Sequence, residues 1–145
     1  MKNLMPERVY LDSNVLILGL EAPEGPGAVA RSLLRECVSG ERIGVVGDAV
    51  IAEVMVGVLR TGSRELASEM SAFLTSGLLT VVGHDRGVFL EAARIRARVG
   101  GHLIEALHVA TAIAAGCDAV VSQDSRMPRI PAMPVLRVDE IALSD

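Results

Sequence analysis

Short apolar runs and helix-period stripes alternate along this chain. Val9-Tyr10-Leu11 is an apolar run ending on Asp12 and reads as a buried strand, with Ser13-Asn14 and a further apolar run to Leu20 behind it. Glu21 to Gly27, EAPEGPG, reads as a loop from its Pro and Gly. From Ala28 to Ser39 the period is helical: Val29, Leu33, Leu34 and Cys37 form one stripe, Arg31, Arg35 and Glu36 lie off it, and Gly40 closes the helix. Ile43 to Val46 reads as a second strand. Asp48 suits the cap of a helix from Ala49 to Arg60. Ser63 opens another helix to Ser76, stopped by Gly77, and Leu79 to Val82 reads as a third strand.

Asp85 suits the cap of a helix to about Val99, ended by Gly100-Gly101, and Leu103 to Ala115 reads as a helix stopped by Gly116. Ala119 to Ser122 reads as a fourth strand and Val135 to Val138 as a fifth. Strands alternating with helices predict an α/β fold, three layers around a mostly parallel central sheet of four or five strands.

Composition sharpens this picture in three ways. A length of 145 residues predicts one domain, residues 1–145, large enough to bury a core without staples. One Tyr, two Phe and no Trp mean an aliphatic core, as in parallel sheets covered by helices. The net charge of −4 argues against gripping nucleic acid by bulk electrostatics, although acids that hold divalent cations reach phosphates through the metal. The N-terminus MKNLMPERVY has no apolar signal region, and the longest charge-free apolar run, Ala106 to Cys117, is too short to span a bilayer, so a cytoplasmic protein without a membrane partner is expected. Cys37 and Cys117 have no metal-ligand spacing and are expected buried and reduced.

The candidate chemistry lies in where the acids fall. Asp12 is the only charged residue from Val9 to Leu20, Glu53 from Ala49 to Leu59, and Glu105 from Val99 to Cys117, while Asp124 is the first charge after Asp118. An unpaired carboxylate in apolar surroundings costs several kcal/mol, and none of the four segments contains a Lys or Arg. A shared divalent cation accounts for all four, and oxygen donors suit Mg2+ or Mn2+. In an open parallel sheet ligands bind outside the carboxyl ends of the strands, where Asp12 and Asp124 fall. A cation there would coordinate a phosphate oxygen and activate water for attack on phosphorus. Asp12 and Asp124 are expected to touch the metal. Glu53 is expected to bind it or orient its waters, and Glu105 to complete the shell or help deprotonate the nucleophile.

Three segments, VYLDSNVLI, AVIAEV and EALHVATAIAAGCDAVVSQD, resemble in order the pieces of the PIN domain family, and within it the toxin ribonucleases of VapBC toxin–antitoxin pairs. The resemblance covers essentially the whole chain. It implies a Rossmann-like α/β/α fold and Mg2+- or Mn2+-dependent endoribonuclease activity, with RNA as substrate. It also implies a homodimer and a small antitoxin protein as partners. The family's first acid falls on Asp12, its helix Glu on Glu53 and its last acid on Asp124, and Asn14 and Ser122 fall where the family often supports the metal site. One departure stands out: Glu105 replaces the usual Asp of the D-A-L-H stretch, which shifts carboxylate geometry at a position where Mg2+ is demanding. Asp48 replaces the usual Ser or Thr ahead of the helix Glu.

Bland readings compete at several positions. Asn14 either caps the helix after Asp12 or serves the site, and Ser122 is similarly balanced. His108 reads more naturally as a satisfied structural histidine than as an RNA contact, and His84 and His102 beside turns carry no signal. Arg126, two residues from Asp124, is a candidate RNA contact. Asp48, Asp85 and Asp118 read as caps or turn residues. A second enzyme class, the haloacid-dehalogenase-type phosphatases, also starts with a strand-end Asp but needs an Asp where Asn14 stands, and receiver domains, which gather acids at the same edge of a similar sheet, need paired acids at the first strand and a Lys at the last. The alternative from another class is a non-catalytic PIN-like scaffold that binds RNA or protein around a degenerate metal site.

Overall fold

In the computed structural model, which describes residues 5–22 and 24–143, five strands make one sheet: β1 (Arg8–Leu11), β2 (Ile43–Gly47), β3 (Thr80–Val82), β4 (Ala119–Val121) and β5 (Val135–Leu136). Their order is β3-β2-β1-β4-β5, and all four pairings are parallel. Side chains of Val9, Tyr10, Leu11, Val120 and Val121 are fully buried, because helices cover both faces of the central strands. The chain steps outward from β1 to β2 to β3 and then returns to lay β4 on the other side of β1. Right-handed crossovers therefore put α1 (Ser13–Glu21), α2 (Pro26–Ser39), α3 (Asp48–Arg60) and α4 (Arg64–Leu74) on one face. The same rule puts α5 (Arg86–Val99) and α6 (Leu103–Ala114) on the other. Packing agrees: α1 rests on α2 and α3, α4 on α3, and α5 on α6. The expected three-layer α/β fold is the one found.

Several boundaries differ from the sequence reading, each for a local reason. The apolar run after Asp12 is helix α1, and α2 begins at Pro26, whose missing N–H costs nothing in a first turn, so the expected Glu21 to Gly27 loop shrinks from both ends. Asp48 is the first residue of α3 rather than its cap; Gly47 holds the capping position. The expected fifth strand ends at Leu136. Arg137 N–H then donates to Glu140 Oε1 (2.9 Å) and the chain turns into a short 3-10 helix, Val138–Glu140.

Glu36, off the apolar stripe of its helix, is nevertheless buried. It faces Arg42 at 3.5 Å, and that guanidinium also donates to the carbonyls of Pro6 and Ala142, closing the amino edge of the sheet. Cys37 and Cys117 are buried and unbridged, and burial pushes both thiols up to about 11. Among the described residues, no helix is long and apolar enough to cross a membrane.

Candidate metal centre

The strand order reverses between β1 and β4, and a crevice opens there at the carboxyl edge, the place where open α/β sheets bind ligands. Asp12 follows β1 directly. Its backbone N–H donates to Val121 O (3.1 Å), and its side chain caps α1 by accepting from Ser13 N (2.8 Å). Oδ2 accepts from Ser122 Oγ (2.7 Å) and Asn14 Nδ2 (3.1 Å). Asn14 is thus not the helix cap: it ties Asp12 to the β4 edge, with Gln123 N–H donating to its Oδ1 at 3.0 Å. Burial pushes the Asp12 carboxyl above its ordinary range, and the Ser122 bond, the nearby His108 and the Ser13 amide pull it back. The neighbours within hydrogen-bond distance of its oxygens are donors, which suits the carboxylate form.

Glu53 lies one turn into α3. Its helical neighbours are apolar, yet Ala52, Val56 and Gly57 are exposed, and so is Glu53 itself. Val50 and Val54 of this run enter the core, but the face that carries Glu53 does not, so the expectation of a buried Glu53 is corrected. Its Oε1 sits 2.7 Å from Nε2 of His108, which is fully buried on α6. The other ring nitrogen lies 2.8 Å from the hydroxyl of Tyr10. Burial above all pushes the Tyr10 phenol far above its usual value, so it keeps its proton, and Glu53 Oε1 accepts at the opposite nitrogen of the ring. The phenol proton therefore goes to His108 Nδ1, and Nε2–H donates to Glu53, a tautomer assigned from this network.

Glu105 occupies the first turn of α6, where the helix dipole favours an acid. It is buried, and its Oε2 has no hydrogen-bond partner. Such an oxygen costs on the order of 1–3 kcal/mol unless something positive reaches it. Asp124, in the turn after β4, is only partly buried. Arg126 grips it through Nε (3.0 Å) and Nη2 (2.9 Å), which above all holds its carboxyl below the usual range. The stretch from Ala119 to Asp124 holds no basic residue, but Arg126, two residues further on, turns back onto it. The reading of four unneutralised acids fits Asp12 and Glu105 and fails for Asp124.

All four acids, with Asn14, His108 and Arg126, line one cavity of about 250 Å3. Asp12, Glu53 and His108 come closest together, with side-chain atoms within 4.8 Å of one another, and His108 spends both ring nitrogens on Tyr10 and Glu53, which leaves the carboxylates as the available ligands. Glu105 and Asp124 stand further out in the same cavity. Ser122 is fully buried behind Asp12. The donor set is mainly carboxylate oxygen, it is partly desolvated, and it contains one orphaned oxygen, so these residues fit a hard divalent cation. Sequence reasoning undervalued His108, whose partners lie 98 and 55 residues away. Its place one turn after Glu105 in an otherwise apolar helix was the available signal.

The sequence profile of the PIN domain matches residues 9–133. The chain belongs to the PIN domain family. Similar folds occur in the PIN toxins of solved toxin–antitoxin assemblies, which confirms the fold at low sequence identity. VapBC2 from Rickettsia felis, bound to a fragment of promoter DNA, superposes with a TM-score of 0.70 at 15% identity, covering 90% of this chain and 98% of that one. FitAcB from Neisseria gonorrhoeae gives 0.70 at 17%, over 90% and 98%. VapC20 from Mycobacterium tuberculosis, a sarcin–ricin loop cleaving toxin, gives 0.65 at 15%, over 82% and 92%. No curated protein sequence matches this PIN domain significantly.

Proposed function

We propose that this PIN domain is a divalent-metal-dependent endoribonuclease and the toxin of a toxin–antitoxin pair. The observation that carries the reading is the convergence of Asp12, Glu53, Glu105 and Asp124, from four separate elements, on one small cavity at the switch point of the sheet. Asp12, Glu53, Glu105 and Asp124 would hold Mg2+ or Mn2+ there, and the ion would supply positive charge for the phosphate and for activating water.

The chain's own residues do the positioning. Ser122 and Asn14 fix the Asp12 carboxylate, and the Tyr10–His108 pair fixes Glu53. The orphaned Glu105 Oε2 is free to meet a cation or to take a proton from the attacking water. Arg126 at the rim of the cavity offers its guanidinium to an RNA phosphate. The PIN toxins of similar fold were solved as toxin–antitoxin assemblies, which supports an antitoxin partner. An apolar groove of about 640 Å3 between α1, α2 and α4, edged by Arg31 and Arg35, is large enough for a helical segment of it. Exposed Val56 and Leu59 on α3 suit a second copy of the chain.

The test is cleavage of a labelled structured RNA with Mn2+, Mg2+ or EDTA, beside Asp12→Asn. Metal-dependent cleavage that drops by about 100-fold or more in the variant supports the reading. A wild type that binds Mn2+ calorimetrically in neither the free nor the RNA-bound state, and cleaves nothing, overturns it in favour of a scaffold, the reading that Glu105 in place of Asp would then explain.

A further inference from the structure

Helix α3, which carries Glu53, begins without a cap of its own. Gly47 holds the capping position and has no side chain to accept the orphan amides of the first turn. The acceptor comes instead from the β3–α5 connection: Ala49 N–H donates to His84 Nε2 at 3.0 Å. The other nitrogen of the same ring, Nδ1, lies 2.8 Å from Thr111 Oγ1 on α6.

Two independent facts fix the proton on this ring. Ala49 N–H needs a lone pair at Nε2. The Thr111 hydroxyl proton is already committed to Leu107 O at 2.7 Å, so its oxygen accepts and Nδ1 must donate. Both ends require the uncharged ring with its proton on Nδ1. Burial, then His108, push the His84 imidazole below its ordinary value, against a smaller opposing pull from Asp48, which favours that uncharged form.

The positions of the two contacts give the bridge its meaning. Ala49 precedes Glu53 by four residues and Thr111 follows His108 by three, so each shares a helix face with its site residue. The carboxyl edge between α3 and α6, which lie on opposite faces of the sheet, is therefore spanned at two places, by His84 and by the His108–Glu53 bond. A Cβ on Gly47 would stand 2.6 Å from His84 Cε1, so the imidazole fills the place of the missing cap side chain.

We propose that His84 is a positioning residue of this site: it caps α3 from outside and ties it to α6, so that Glu53 meets His108 and the cavity. The proposal rests on reading the acidic cavity as a metal centre, and its test separates the two. In the metal-free protein, nitrogen NMR of the imidazoles should find His84 protonated on Nδ1 and His108 on Nε2. His84→Ala should speed amide exchange at Ala49 and the first turn of α3 by about tenfold or more, leave the sheet amides unchanged, and erase the slowly exchanging His108 Nε2 proton.

Calorimetry with Mn2+ should show affinity about 10-fold weaker in the variant. Thr111→Val removes the same bridge from α6 and should act in the same direction if His84→Ala does not fold. A His84 proton on Nε2, or a His108–Glu53 proton untouched in both variants, overturns the proposal, as does unchanged Mn2+ affinity when the wild type binds the ion. A wild type that binds no Mn2+ removes the metal reading alone, and the imidazole signals still decide the role of His84.

Discussion

The guanidinium of Arg126 makes two side-chain bonds to a carboxylate that the proposed metal centre would need. The pair lies at the rim, with Arg126 largely exposed, so its net contribution to folding is small. Its consequence is for binding, since whatever approaches Asp124 displaces or shares a positive charge already present. Two opposite effects are expected from Arg126→Ala. Mn2+ affinity rises by about threefold or more, because Asp124 is released. The RNA KM rises by about tenfold, because a charge-assisted phosphate contact is lost. Calorimetry reads the first and cleavage kinetics the second; a variant with weaker Mn2+ binding contradicts the competition. At this scale the sequence was partly legible. A carboxylate isolated in an apolar segment identified Asp12 and Glu105 as buried, whereas the partner of Glu53 comes from another element and no local pattern reveals it; Arg126 was in view two residues from Asp124, but the turn that folds it back was not.

At the scale of elements, α3 shows how a helix start is decided by tertiary contacts. Asp48 carries the expected capping chemistry, but the chain enters the helix one residue earlier and the accepting group arrives from His84. Gly47 is required by crowding rather than by backbone conformation: its φ is −83°, open to any residue. An added Cβ would press on both His84 Cε1 and the Tyr10 hydroxyl at 2.6 Å. Gly47→Ala is therefore expected to cost roughly 1–3 kcal/mol and lower the melting temperature by several degrees. It should also disturb both histidine bonds, which the same thermal scan and imidazole spectra measure; an unchanged melting temperature would show that the site relaxes freely. The periodic helices α2 and α5 were legible because their stripes face the core, and α6, buried all round from Glu105 to Ala112, from its length and its Gly116 stop. The two-residue β5 was not bounded correctly, because the Arg137–Glu140 bond that turns the chain away competes with strand pairing.

The whole molecule separates stability from chemistry along the strand direction. The carboxyl edge gathers four carboxylates of which only Asp124 is paired with an arginine, while the amino edge is closed by Arg42, buried against Glu36 and bonded to the carbonyls of Pro6 and Ala142. The alternation of strands and helices made the parallel sheet legible, and the crossover from β3 back to β4 follows from handedness once the strand order is known. The amino-edge clamp was hidden, because Glu36 looks solvent-facing within its own helix. Removing Arg42 takes away the guanidinium that faces the buried Glu36 and bonds two carbonyls, a loss of roughly 3–5 kcal/mol, which in a chain of this length lowers the melting temperature by about 10 °C. Arg42→Ala should show that loss, while the Mn2+ affinity of the folded protein stays within about twofold of wild type, since the substitution lies at the opposite edge from Asp12. Glu36→Leu combined with Arg42→Met should recover much of the stability, because a well-packed apolar pair replaces a buried ionic one at little net cost. Thermal melts of the single and double variants, each followed by a Mn2+ titration below the transition, measure both halves. A single variant that loses metal affinity in step with stability would mean the two edges are coupled through the sheet, and the separation of roles would not hold.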